Sequence, residues 1–191
     1  MRPHPDESLR LFFALWPDDA TRSALQRLQT GLHGRIVPYA NLHLTLHFLG
    51  KQPATLLPAL KTALTRLPAT SLTLRFDRIG YFSRSRVVWS GMHRVPEQLL
   101  LLHRELQQEL ETYEVRGDDK ARFTPHVTLA REARELVDPA FEPFTWQADQ
   151  IALVRSDTRP EGPLYQVVFA RALDRPYRLS SELELPPPAA V

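Results

Sequence analysis

The chain has 191 residues, 43% of them hydrophobic and 24% charged, enough for one domain with a proper core, and its early apolar stretch LFFALW (11–16) is far too short to cross a membrane. It contains no cysteine, which excludes disulfides, thiol nucleophiles and Cys-ligated zinc. The net charge is only +2 and the cations are nearly all arginine, since Lys51, Lys61 and Lys120 are the only lysines; this permits an anionic partner without requiring one.

In chain order, MRPHPDESLR lacks the basic-then-apolar layout of a signal peptide. Residues 1–8 are therefore expected to be a flexible arm, and the protein to be cytoplasmic. RLFFALWP (10–17) reads as a buried strand stopped by Pro17. A helix is expected over 17–34, begun by Pro17 and Asp18, with Leu25, Leu28 and Leu32 on one face and Gly34 at its end. NLHLTLHFLG (41–50) alternates polar and apolar residues, so a strand is expected with one buried face, closed by Gly50.

Residues 54–67 give a second helix that buries Leu56, Leu60, Ala63, Leu64 and Leu67. SLTLRFDRIG (71–80) and RVVWSGM (86–92) read as strands. VPEQLLLLHRELQQELETY (95–113) is the clearest helix, with Leu99, Leu102, Leu106 and Leu110 in one stripe. GDDKARFTP is a loop, and HVTLAR (126–131) a short strand. Two more strands are expected near 144–155 and 164–172, before a Pro-rich tail over 179–191. Residues 9–178 form the single expected catalytic domain. The order strand, helix, HLTL in the first half returns as strand, helix, HVTL in the second. Two similar α/β lobes facing each other, with the His-x-Thr strands meeting at the seam, account for that echo.

On a strand, residues i and i+2 point the same way. His43 and Thr45 therefore project together while Leu42, Leu44 and Leu46 face the core; His126 and Thr128 do the same over Val127 and Leu129. Two imidazoles near neutrality can serve as general base and general acid, and two hydroxyls can donate to phosphate oxygens. Such a set suits displacement at phosphorus without a metal, and Arg131 adds a cation beside the phosphate. His47, on the same expected side as His43, is a rim residue at a separation too great for a shared ion. His4, His33, His93 and His103 are expected in structural or solvent roles. Arg84, Arg86 and Arg122, near the motif-bearing strands, are candidates to steer an anionic substrate. Phe12, Phe48, Phe123 and Tyr165 are candidates to stack on a planar group of it, with no more than one expected to serve.

At RLFFALWP, VPYANLHLTLHFLG, SRSRVVWSGM, FTPHVTLAR and GPLYQVV the chain resembles the two-histidine (2H) phosphoesterases. Within them it is most similar to the RNA 2′,3′-cyclic phosphodiesterases, or 2′-5′ RNA ligase (LigT/ThpR) family. The resemblance implies an α+β, bilobal 2H phosphoesterase (LigT-like) fold, with two pseudo-symmetric lobes and antiparallel sheets around a central cleft. It also implies metal-independent hydrolysis of RNA 2′,3′-cyclic phosphate ends to 2′-phosphates; no cofactor is expected, and a monomer is the default expectation for such a chain. In that scheme His43 matches the general acid and His126 the water-activating base. Thr45, Thr128 and Arg131 match phosphate-holding positions. Reversible 2′-5′ ligation occurs in some members. The alternatives are a non-catalytic RNA-end-binding module, or a 2H enzyme acting on small cyclic phosphates or 2′-5′ oligonucleotides.

Overall fold

The structure is a computed structural model that describes residues 7–68, 70–115, 123–134, 140–160 and 162–174. Its strands are β1 (Ser8–Leu15), β2 (Arg35–Ile36), β3 (Leu44–Pro53), β4 (Leu72–Phe76), β5 (Arg78–Phe82), β6 (Val87–Gly91), β7 (His126–Arg131), β8 (Phe144–Ala148), β9 (Gln150–Arg159) and β10 (Gly162–Ala172). Three helices, α1 (Asp19–Arg27), α2 (Leu57–Arg66) and α3 (Glu97–Glu111), lie between them. Eight strands join in one sheet of order β10-β9-β1-β3-β7-β6-β5, with β2 paired to β7, while β4 and β8 pair separately. The two His-x-Thr strands are thus central neighbours. They pair antiparallel at Leu44↔Val127. The halves β10-β9-β1-β3 and β7-β6-β5 are the two expected lobes, fused edge to edge into an α+β fold.

Alternation sorts side chains between the two faces of this sheet. Leu11, Phe13, Leu15, Leu44, Val127, Leu129, Ile151 and Leu153 point into a core shared with Leu25 of α1, Leu60 and Leu64 of α2, and the Leu99–Leu102–Leu106–Leu110 stripe of α3. Each such leucine, fully buried, contributes about 1.5–3 kcal/mol. The opposite face carries Phe12, Ala14, Ala152 and Val154, flanked by Trp16, Phe48 and Tyr165, and no apolar helical residue joins it among the described residues. One face is sealed by helices; on the other, Arg22 of α1 lies over Trp16 at 5.0 Å.

Several elements differ from expectation. α1 stops at Arg27 rather than Gly34, because the Gln29 amide turns away to donate to Val37 O (2.8 Å) and Leu129 O (2.9 Å), and Gly31 takes φ 78°. The bonds tie the chain to β7. Gly50 (φ 69°) does not close β3, which continues to Pro53 beside β1. The expected strand 71–80 is two strands of different sheets, broken at Asp77, whose Oδ1 accepts from His93 N at 2.9 Å and whose N donates to Gly91 O at 3.1 Å. The stretch 144–155 likewise divides at Asp149, whose carbonyl accepts from Leu173 N at 2.7 Å.

His47 is the main correction. In the β1–β3 ladder Ala14 pairs Thr45 but Phe13 pairs His47, so Leu46 is an extra residue and the alternation inverts there. His47 faces the helical core, 6% exposed, with its ring 6.2 Å from that of His103 on α3. It is not on the rim beside His43. His103 in turn stacks on Phe123 at 4.0 Å, which removes Phe123 from the stacking candidates. The arm residues 1–6 with His4, the tail 179–191, and Arg122 lie outside the described residues.

Candidate active site

Each imidazole is set by its own strand in the same way. His43 Nδ1 lies 2.6 Å from Asn41 O, and His126 Nδ1 lies 2.7 Å from Thr124 O. A carbonyl oxygen only accepts, so in both rings Nδ1 carries the proton and Nε2 is left for chemistry. His43 Nε2 is 3.0 Å from Thr45 Oγ1. Antiparallel pairing at Leu44↔Val127 sets His43 across from Thr128 and Thr45 across from His126, with the imidazoles on the diagonal. His43, Thr128, Arg131, Asn41 and Tyr165 line one cleft, and Thr45 and His126 are not part of its lining.

Burial pulls the His43 imidazole down to about 4; the Asn41 carbonyl opposes this, and the charges of Arg131, His126 and Arg22 add to it. His126 is lowered too, by burial first, with the Thr124 carbonyl opposing and Arg131 assisting. Arg131 makes no ion pair among the described residues, unlike its cross-strand neighbour Arg35, which meets Glu132 at 3.3 Å. The cleft is therefore an electropositive hollow that disfavours imidazolium until an anion arrives. The sign of the pH dependence follows. With the expected roles, His43 as acid with a pKa near 4 and His126 as base lowered from 6.5, the bell of kcat/KM in the free protein falls on the acid side of pH 6.5. A bound phosphate favours the charged ring and moves the kcat bell upward. Initial rates between pH 4 and 9 check this; a kcat/KM optimum above the kcat optimum would contradict it.

Aromatic rings brace both imidazoles. Around His43 stand Phe12 at 4.8 Å, Tyr165 edge-on at 5.1 Å and Trp16 nearly parallel at 6.1 Å. Around His126 stand Phe82 at 5.1 Å and Trp89 at 6.0 Å. Trp89 lies flat over its cross-strand partner Gly80, where an added Cβ would come within 2.2 Å of the indole. Gly80→Val therefore displaces Trp89 and its support of His126. The expected result is a loss of about 1–3 kcal/mol of stability with a fall in activity, read by thermal melts and kinetics together.

Of the four stacking candidates, only Tyr165 lines the cleft; Phe12 is 2% exposed beneath His43, and Phe48 sits under Arg10 at 4.9 Å. Arg84 and Arg86 are exposed on the β5–β6 turn, and Arg86 Nη2 donates to Glu132 O at 3.2 Å. Sequence reasoning missed Trp16, Arg35 and Asn41. The Asn41 carbonyl that orients His43 is backbone and leaves no signal in side-chain type.

Paired imidazoles and hydroxyls at the seam of a two-lobed antiparallel sheet define a 2H phosphoesterase fold. The model of the 2′-5′ RNA ligase superfamily matches residues 17–160. An RNA 2′,3′-cyclic phosphodiesterase of Thermus thermophilus is 37% identical, over 84% of this chain and 88% of that protein. One of Escherichia coli is 34% identical, over 88% and 93%. The crystal structure of E. coli LigT in its apo form superposes with a TM-score of 0.77 at 31% identity, covering 89% of this chain and 100% of that one. The chain belongs to the 2′-5′ RNA ligase superfamily.

Proposed function

We propose that this protein is a hydrolase that opens RNA 2′,3′-cyclic phosphate ends to 2′-phosphates, with paired His general acid–base catalysis. The observation that carries the reading is the matched pair of Nδ1–carbonyl bonds, which leaves both Nε2 atoms for proton transfer. His126 Nε2 has no hydrogen-bond partner among the described residues and suits a water molecule. It takes the water's proton as the oxygen attacks phosphorus. The P–O3′ bond breaks, and His43 Nε2–H passes a proton to O3′. Thr45, Thr128 and Arg131 hold the non-bridging oxygens as charge redistributes. The names of the curated relatives, and a LigT crystal structure complexed with 3′-AMP, support a nucleotide phosphate as the ligand.

The site is complete within one chain, which supports action as a monomer. Among the described residues no helix is long and apolar enough to cross a membrane, and a cytoplasmic setting is part of the proposal. The test is hydrolysis of a nucleoside 2′,3′-cyclic phosphate in EDTA, with the product assigned by NMR. Turnover to the 2′-phosphate is expected. A 3′-phosphate product would reverse the leaving group, and binding without turnover would favour an RNA-end-binding module.

A further inference from the structure

Arg22, on the first turn after the N-cap of α1, is an arginine without an acceptor. It is only 9% exposed, and its Nε is sealed from solvent with no hydrogen-bond partner. None of its side-chain nitrogens meets a carboxylate or carbonyl among the described residues; only its backbone N donates, to Asp18 O at 2.9 Å. Asp18 and Asp19 lend it negative charge from nearby, which burial outweighs, but neither carboxylate accepts a hydrogen bond from its side chain: Asp18 Oδ1 accepts from Thr21 N at 2.7 Å, and Asp19 Oδ1 from the Tyr39 hydroxyl at 3.3 Å. A guanidinium withdrawn from water without acceptors is costly, and a bound anion removes that cost. Its terminal amines remain the donors that solvent can reach.

Its place indicates which anion. The Arg22 Cζ lies 5.0 Å from the Trp16 ring, and Trp16 lies 6.1 Å from His43, tilted only 24° from parallel. Arg22 is thus one indole away from the imidazole that protonates O3′. The ribose whose 3′ oxygen meets His43 sends its 5′ side away from the cyclic phosphate. We propose that Arg22 binds the phosphodiester one nucleotide upstream of the cyclic end, so that the site prefers an RNA chain to a free nucleoside cyclic phosphate. This rests on the reading of the site as a cyclic phosphodiesterase. Arg22 also feeds positive charge to His43, in keeping with its nearness.

The test uses equilibrium binding, separate from turnover. Adenosine 2′-monophosphate and the dinucleotide ApA 2′-phosphate are titrated against the intact protein by calorimetry. The wild type should bind the dinucleotide about tenfold or more tightly, the contribution of one charge-assisted contact. Arg22→Met, which keeps an apolar stem on Trp16, should bring the ratio to within about threefold, and Arg22→Lys should retain part of it. On the wild type alone, the salt dependence should be steeper for the dinucleotide by about 0.7 in log–log slope. An unchanged ratio in Arg22→Met, equal weakening of both ligands, or equal salt slopes would overturn the assignment. Dinucleotide preference without turnover would sink only the catalytic reading; turnover without preference would sink only the role of Arg22.

Discussion

His43→Ala and His126→Ala each lower kcat for a nucleoside 2′,3′-cyclic phosphate by about 10²–10⁴-fold, the usual worth of one positioned acid or base. The two losses do not add. Once either proton transfer is gone the concerted displacement fails, so the double variant is scarcely slower than the worse single one. KM is expected to change less, because in the proposed mechanism Thr45, Thr128 and Arg131 hold the anion. In the free protein burial keeps the His43 imidazole neutral, so His43→Ala removes no charge from the unliganded cleft. The pH profiles separate the roles. With His126 removed the limb that needs a neutral base disappears, and with His43 removed the limb that needs a protonated acid disappears. Steady-state kinetics over the pH range check both. A single variant that retains more than about a tenth of wild-type turnover would remove that imidazole from the mechanism.

Trp146→Ala costs about 3–5 kcal/mol of stability, a fall in Tm of about 10 °C for a chain of this size. Trp146 is fully buried on β8, opposite Leu74 of β4 and 6.0 Å from Phe76. It fills the junction between the small sheet and the helical core, so its removal leaves a cavity lined by side chains held in two sheets. Its indole Nε1 is buried without a hydrogen-bond partner. Trp146→Phe therefore trades lost volume against relief of an unsatisfied donor and costs far less, about 1 kcal/mol or under. Thermal and urea unfolding distinguish the two variants. A Trp146→Ala protein that melts within about 2 °C of wild type would show that the two-stranded sheet is not coupled to the main core.

The three helices and the catalytic strands were legible because their signals are local. The leucine stripe of α3 has helical period over four turns, and its four leucines are the ones buried. The alternation around His43 and His126 placed each His–Thr pair on one face over buried Leu44 and Val127. Boundaries fared worse where a distant partner decides them. Asp77 divides a continuous alternating run because the β6 end at Gly91 and His93 reaches it. Gln29 ends α1 early because carbonyls 8 and 100 residues away take its amide. His47 shows the same limit inside a single strand. Period two carried it to the cleft side, and one bulged leucine sent it to the other.

The sequence by itself determined the chemistry on offer: two imidazoles, two hydroxyls and one arginine, in patterns short enough for strand geometry to group them in pairs. Only the tertiary structure decided that the two His–Thr strands lie side by side, that each ring turns Nδ1 to a carbonyl and leaves Nε2, and that Arg22 stands near His43 without a side-chain acceptor. The reason is physical. Side-chain alternation is a property of neighbouring residues, whereas burial, tautomer and charge environment depend on carbonyls and rings that the fold brings from elsewhere in the chain.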